Sequence, residues 1–191
     1  MNYLPRLPSC IACFIVANYK LNERSLMKYF AYGSNMSELR LRARVPSATK
    51  IGRFTLDKHQ LRFHKKSEDG SAKCDAYYTG NQSDIIIGAL YEMDDAEKTY
   101  LDKAEGLGVG YDEQIVQVIN EAGESISALI YVATRIDTSL LPYSWYLNHV
   151  IVGAIENEVP VAYLNTLKSV SHKADPEASR DLIERQVYRH T

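Results

Sequence analysis

Residues 28–35, Lys-Tyr-Phe-Ala-Tyr-Gly-Ser-Asn, combine an aromatic run with an abrupt break. Lys28 to Tyr32 predicts a β-strand, because aromatic residues in a short apolar run favour strands. Gly33-Ser34-Asn35 interrupts this run, and the residues at 37–43 then predict a helix that Pro46 stops. Successive amide N–H groups in such a turn can bind an anion, for example a carboxylate. A plain strand-to-helix turn with a capping residue is the alternative interpretation.

Further strands and helices follow along the chain. Apolar and β-branched runs predict strands at 51–56, 60–64, 74–79, 85–93, 111–119 and 125–134. We expect the first two of these to pair with each other, and 85–93 to lie centrally in the sheet because it begins as a nearly continuous apolar run. Helices are predicted at 94–105, 144–156 and 161–170, and Asp175-Pro176-Glu177 predicts a last helix with proline at its first position.

The order of these elements predicts the fold class. Strands do not alternate regularly with helices, which argues against a doubly wound parallel sheet. We therefore predict an α+β domain, in which a mixed, mostly antiparallel sheet curls into a small β-barrel with flanking helices.

Glu105 stands out among the acidic residues. Asp94 and Glu97 resemble a capping box at the start of its helix, and Gly106 ends the helix directly after Glu105. The negative end of the helix dipole disfavours an anion, an environment that suits a general base that later returns its proton. A frayed helix end in water is the alternative interpretation.

The glycine loop Gly106-x-Gly108-x-Gly110 resembles a dinucleotide-binding motif only at first sight. That motif requires a strand before it and a helix after it, whereas here a helix precedes and a strand follows. The loop instead indicates a mobile or tight turn beside a group that approaches the backbone closely.

Composition limits the classes of function. The 191 residues are 46% hydrophobic, which is typical of a single globular domain, and 14 tyrosines outnumber 4 phenylalanines. A net charge of −2 gives no electrostatic reason to expect nucleic acid or an acidic membrane as a partner. Cys10 and Cys13 form a CxxC pair without a second pair or histidine cluster at ligand spacing, and Cys74 stands alone. We expect a reduced, cytoplasmic protein with no metal site.

Residues 1–26 form a leader that we do not expect to belong to the domain. The apolar stretch at 7–17 is too short to cross a bilayer as a helix. It could imitate the core of a signal peptide, but a clear small-x-small cleavage site is lacking. Because Met27 directly precedes the first strand, we place the domain at 27–170 and a C-terminal helical tail at 171–191.

Several segments together resemble the gamma-glutamylcyclotransferase family, which has the AIG2-like cyclotransferase fold. They are Phe30-Ala-Tyr-Gly-Ser-Asn-Met36, Gly88-Ala-Leu-Tyr-Glu-Met93, Tyr100-Leu-Asp-Lys-Ala-Glu-Gly106, Tyr111, Pro142-Tyr-Ser-Trp-Tyr146 and Gly153-Ala154. The resemblance covers about residues 28–170. It implies an enzyme that cyclises γ-glutamyl amino acids or γ-glutamyl amines to 5-oxoproline, with a small-molecule substrate and no cofactor. A homodimer is compatible with it.

The resemblance also implies roles for individual residues. Glu105 is the expected catalytic acid/base. Substrate binding is expected at Tyr29, Phe30, Ala31, Tyr32, Gly33, Ser34, Asn35, Tyr111 and Tyr146.

Two other classes of function stay open at this point. A protein with the same fold could bind a carboxylate or γ-glutamyl ligand without turnover, because fold does not fix function. Glu105 argues against this, since a passive site for an anion gains little from a further carboxylate. A CxxC redox protein ranks last, because Cys10 and Cys13 lie in the leader.

Overall fold

The computed structural model describes residues 25–188. The strands are β1 (Leu26–Ala31), β2 (Thr49–Asp57), β3 (His59–Lys66), β4 (Ala72–Tyr78), β5 (Ile85–Asp94), β6 (Tyr111–Ile119) and β7 (Ser125–Ala133). The helices are α1 (Glu38–Arg42), α2 (Lys98–Glu105), α3 (Ser144–Glu156), α4 (Val161–Lys168) and α5 (Ala178–Gln186). The leader residues 1–24, and with them Cys10 and Cys13, lie outside the described residues.

Five strands close into a barrel in the order β1-β5-β2-β6-β7. Neighbours in this order pair antiparallel, and a parallel bridge between Tyr29 and Leu129 joins β7 to β1. The predicted α+β class with a mixed, mostly antiparallel barrel is confirmed. β5 lies between β1 and β2, as its apolar sequence predicts, and Leu90 and Tyr91 are completely buried.

The predicted pairing of the second and third strands is wrong. β2 pairs with β5 and β6, whereas β3 pairs with β4 in a separate two-stranded sheet. Only Lys58 separates β2 from β3, and its backbone is left-handed, with φ 62°. A hairpin needs a loop of about two residues or more, so a one-residue connection directs the chain into a different sheet.

The segment that contains Glu105 begins differently from the prediction and ends as predicted. Asp94 caps the first turn by accepting from the Ala96 amide at 2.9 Å, but Glu97 does not complete a capping box. Its carboxylate instead accepts from the amide and hydroxyl of Ser47 at 3.0 and 2.6 Å. α2 ends at Glu105 because Gly106 adopts φ 73°, a left-handed conformation that glycine adopts without strain.

The C-terminal helix begins two residues later than the predicted proline. Glu177 is its N-cap, so Pro176 precedes the helix. The Asp175 carboxylate fixes the segment that leads into α5. It accepts hydrogen bonds from the Trp145 indole at 2.7 Å and from Arg180 at 2.6 Å. The domain boundary at residue 170 stays a prediction, and these contacts show how residues 175–188 attach to α3.

A buried polar cluster joins α5 to α3 and α1. His149 on α3 is fully buried, and its Nε2 lies 2.9 Å from Glu184 and 3.0 Å from the Arg40 guanidinium, while its Nδ1 lies 2.8 Å from the Tyr188 hydroxyl. Arg40 also donates to Glu184 at 2.7 Å. Burial, with the charge of Arg40, lowers the pKa of His149 to about 4, although Glu184 opposes the shift.

This cluster predicts a loss of stability on mild acidification. Unfolded His149 binds a proton near its ordinary pKa of 6.5, whereas the folded protein binds it only near 4. The unfolded state therefore binds more protons in this window, and stability falls as the pH decreases through it.

We expect His149→Gln to reduce the loss of unfolding free energy between about pH 7 and pH 5 by on the order of 2 kcal/mol. Urea unfolding at both pH values measures this, and His172→Gln, an exposed histidine, is the control. A wild-type slope in His149→Gln would contradict the prediction.

Candidate active site

The loop after β1 is held against the barrel and α3. Ser34–Met36 form a short 3₁₀ turn that packs against α3. The Met36 carbonyl accepts from the Tyr91 hydroxyl at 2.8 Å and from the Asn157 side chain at 2.9 Å. Asn35 is 2% exposed, so its amide is fixed inside the protein and not in solvent.

Asn35 brings the loop into contact with Glu105. Its side-chain nitrogen donates to Glu105 Oε1 at 2.6 Å, and its side-chain oxygen accepts from Arg44 at 2.7 Å. Arg44 also lies 3.7 Å from Glu105 Oε1, and the Glu105 side chain is 16% exposed. A hydrogen-bond donor and a cation therefore both face the Glu105 carboxylate at the end of α2. The Glu105 carboxylate is thus held by one hydrogen bond and lies beside one cation.

The loop, Glu105 and a set of aromatic residues enclose a small space, here called the inner cavity, of about 20 Å³. That volume accommodates about one water molecule. The cavity is lined by Tyr29, Tyr32, Gly33, Ser34, Asn35, Cys74, Glu105, Tyr111, Tyr131 and Tyr146.

Two larger spaces adjoin Glu105. The basic chamber, of about 110 Å³, is lined by Ser34, Arg40, Arg44, Lys65, Ser67, Lys73, Ala104, Glu105, Tyr111, Trp145 and Tyr146. The outer groove, of about 330 Å³, is lined by Lys65, Lys66, Ser67, Glu68, Lys103, Ala104, Glu105, Gly106, Val109, Gly110 and Arg135. Glu105 borders all three spaces, so it lies where a substrate could reach from the groove to the loop.

A groove of about 670 Å³ lies between the first half of β2, the β6–β7 turn and the end of α3. It is larger than the spaces around Glu105, but no predicted site residue lines it. We therefore place the candidate site at Glu105 on the basis of its chemistry and not of its volume. Within residues 25–188, no group of three or more His, Cys, Asp or Glu side chains could hold a metal ion.

Sequence comparison identifies the family of the chain. Residues 85–167 match the AIG2-like family. The chain is 31% identical over 147 residues to the gamma-glutamylcyclotransferase of Bos taurus, an alignment that covers 74% of this chain and 77% of the relative. The human gamma-glutamylcyclotransferase is 30% identical over 146 residues, with the same coverage. The chain belongs to the gamma-glutamylcyclotransferase family. It is an enzyme of this type.

Comparison with solved structures finds the same fold in a protein of this family. A solved structure of a gamma-glutamyl cyclotransferase superposes with a TM-score of 0.76 at 24% identity, covering 85% of this chain and 99% of that one. Within residues 25–188, no helix has the length and apolar character needed to cross a membrane.

The structure of this cyclotransferase-family chain brings most of the predicted site residues together. Tyr29, Tyr32 and the loop 33–35 line the inner cavity with Glu105. Phe30 and Ala31 do not line it, because both are fully buried in the hydrophobic core of the barrel.

Several residues around Glu105 were not predicted from the sequence. Among them are Arg44, Lys65, Cys74 and Tyr131. Tyr131 donates to Asp102 of α2 at 2.6 Å, and so connects the cavity wall to the helix that ends in Glu105. Burial raises the pKa of the Cys74 thiol to about 12, which keeps it neutral and unsuited to nucleophilic chemistry. An isolated Cys, Tyr or basic residue in the sequence gives no signal of such a position.

Tyr111 and Tyr146 both form hydrogen bonds with the backbone of Cys74. The Tyr111 hydroxyl donates to the Cys74 carbonyl, and the Tyr146 hydroxyl accepts from the Cys74 amide at 3.0 Å. Burial raises the pKa of both tyrosines well above the ordinary value, so both hydroxyls stay protonated. The Tyr146 hydroxyl contacts both the backbone amide and the side chain of Cys74 at the wall of the inner cavity.

Replacement of either tyrosine by phenylalanine should affect both stability and substrate binding. Each change removes one hydroxyl, keeps the ring and leaves a Cys74 backbone group without its partner, at a cost of about 1–3 kcal/mol. We expect a lower free energy of unfolding in both variants and, in Tyr146→Phe, an increase in KM. Urea unfolding and steady-state kinetics measure the two effects separately. Unchanged kinetics in both variants would limit the two hydroxyls to a structural role.

Proposed function

We propose that this enzyme cyclises γ-glutamyl amino acids or γ-glutamyl amines to 5-oxoproline and releases the free amine. The observation that supports this most directly is the contact between the β1 loop and Glu105, in which Asn35 donates to the carboxylate at 2.6 Å. The contact brings a carboxylate suited to accept a proton next to a loop suited to bind a carboxylate, and Glu105 lines three adjoining spaces.

The chemistry is intramolecular. The α-amino nitrogen of the substrate forms a bond to the γ-carbonyl carbon, and the bond from that carbon to the leaving nitrogen breaks. Glu105 accepts the proton from the attacking nitrogen and returns it to the leaving nitrogen, so the carboxylate is regenerated. No enzyme nucleophile is required, because holding the substrate in a folded conformation supplies much of the rate. No step of this reaction requires a metal, nucleotide or flavin.

Substrate binding is assigned to the loop and the aromatic wall. In this proposal the amide groups near Gly33 hold the α-carboxylate or the developing oxyanion, which favours the transition state. Ser34 borders both the inner cavity and the basic chamber, so its hydroxyl lies along the path of the substrate. Because the inner cavity holds only about one water molecule, it must widen when the γ-glutamyl group enters.

A panel of γ-glutamyl amino acids and γ-glutamyl amines tests the proposal. Formation of 5-oxoproline, followed by chromatography and mass spectrometry, is the expected result for at least one member. Binding of these compounds without any product would favour a non-catalytic ligand-binding protein on this fold.

A further inference from the structure

The basic chamber beside Glu105 concentrates positive charge. A chamber of this composition attracts an anion, and one carboxylate, that of Glu105, lines it as well. The cationic residues that line it are Arg40, Arg44, Lys65 and Lys73.

Three of these cations already have partners inside the protein. Lys73 donates to Asp69 at 2.8 Å, and Arg44 donates to Asn35 at 2.7 Å. Arg40 forms the ion pair with Glu184 on α5 described above. Their charges are largely engaged in holding the walls of the chamber.

Lys65 differs from the other three. It is only 9% exposed, yet among residues 25–188 its ammonium makes no hydrogen bond and no ion pair. Its protein contact is with the ring of Tyr111, whose centroid lies 4.7 Å from the ammonium nitrogen. Burial lowers the pKa of Lys65, and the charge of Glu105 opposes this shift. An ammonium that is partly withdrawn from solvent and has no hydrogen-bonding partner is unfavourable, so an anionic ligand would compensate part of its lost solvation.

The backbone directs Lys65 into this position. β3 has a bulge between Phe63 and Lys65, and as a result the consecutive residues His64 and Lys65 are both buried. Bulges often redirect a side chain next to an active site. The strand is fixed on its other side as well, because the Lys66 amide donates to the Arg135 carbonyl at 2.8 Å.

The glycine loop leaves room for the Lys65 side chain. A Cβ atom on Gly110 would lie 2.6 Å from Lys65 Cε and 2.7 Å from its Nζ, closer than non-bonded atoms approach. The absence of a side chain at this position therefore lets the ammonium lie between the basic chamber and the outer groove, both of which include Glu105.

We propose that Lys65 is the residue that binds the carboxylate of an amino-acid leaving group, and that it thereby raises the turnover of γ-glutamyl α-amino acids relative to γ-glutamyl amines that lack this group. The inference rests on the proposed function. Glu105 would protonate the leaving nitrogen, and in an α-amino acid the carboxylate carbon is two bonds from that nitrogen. Lys65 lines two of the spaces that Glu105 lines, so its ammonium can form an ion pair with this carboxylate. A leaving amine without a carboxylate cannot form that ion pair.

Two substrates that differ only in the carboxylate test this inference: γ-glutamyl-alanine and γ-glutamyl-ethylamine. In the wild type we expect a higher kcat/KM for the first. Lys65→Met should lower the ratio of the two kcat/KM values by about 10- to 100-fold, the loss typical of a hydrogen bond to a charged group. Lys65→Arg should keep part of the preference. Lys168→Met, which removes an exposed positive charge from α4, should leave the ratio unchanged.

Each other outcome has a defined meaning. An equal loss with both substrates would show that Lys65 serves the glutamyl part, and an unchanged ratio would show that it binds neither part; both results overturn the inference. If the wild type converts neither substrate, the proposed function itself fails and the inference falls with it. Should Lys65→Met not fold, Gly110→Ala displaces the ammonium without removing the charge and should lower the same ratio, and an unchanged ratio in Gly110→Ala would overturn the inference.

Discussion

Glu105→Gln should lower kcat by at least about 10²- to 10⁴-fold, the usual contribution of general acid/base catalysis. Glutamine keeps the shape of the side chain and can still accept the hydrogen bond that Asn35 donates at 2.6 Å, but it cannot take up the substrate proton. The fold and the affinity for a non-cyclising glutamate analogue should therefore be retained. Steady-state kinetics measures the loss, and calorimetric titration with the analogue measures binding.

Glu97→Gln is the matched control for this experiment. Glu97 lies one residue before α2, and its carboxylate binds the amide and hydroxyl of Ser47. We expect this variant to lose about 1 kcal/mol of stability or less and to retain turnover. If Glu105→Gln kept near-normal turnover, or lost its fold together with binding, Glu105 would be a structural helix-end residue, and the ligand-binding alternative would be favoured.

Asn35→Ala should reduce kcat by about 10²-fold, because a displaced catalytic group loses roughly this much. Asn35 is a positioning residue in this scheme: it donates to Glu105 Oε1, accepts from Arg44 and lies 3.2 Å from the Tyr29 hydroxyl. Alanine removes the hydrogen bonds that fix the direction of the carboxylate but leaves the carboxylate itself. The loss should appear mainly in kcat, with a smaller change in KM.

Asn157→Ala distinguishes positioning from general destabilisation. Asn157 is also a buried amide, 5% exposed, but its nitrogen donates to the backbone carbonyls of Met36 and Gly153. This variant should be less stable, while the folded fraction keeps most of its kcat because the Tyr91 hydroxyl still binds the Met36 carbonyl at 2.8 Å. Equal kcat losses in the two variants, after correction for the folded fraction, would remove Asn35 from the catalytic site.

Much of the fold could be predicted because local patterns determine its elements. The hairpin strands β6 and β7 and the helix α3 lie where periodicity and turn residues place them. The pairing of β2 and β3 could not be predicted from adjacency, since a single left-handed Lys58 sends the two strands into different sheets. Tertiary contacts, and not strand propensity, decide which strands become neighbours.

The candidate site, like the fold, could be predicted only in part from the sequence. The contact between Glu105 and the loop 33–35 could be expected, because the resemblance to the gamma-glutamylcyclotransferase family implies that both belong to one site. Arg44 and Lys65 could not, since Arg44 reaches the site from the end of α1 and Lys65 enters through a bulge in β3. Such positions depend on contacts between segments far apart in the chain.

Turnover of γ-glutamyl-alanine in water enriched in oxygen-18 tests the central claim, intramolecular cyclisation at Glu105, most directly. Attack by the substrate's own amine consumes no water, so the product should be 5-oxoproline without the label, and Glu105→Gln should form it at a strongly reduced rate. Release of glutamate with one labelled oxygen would show that water attacks the γ-carbonyl and would contradict the proposed mechanism.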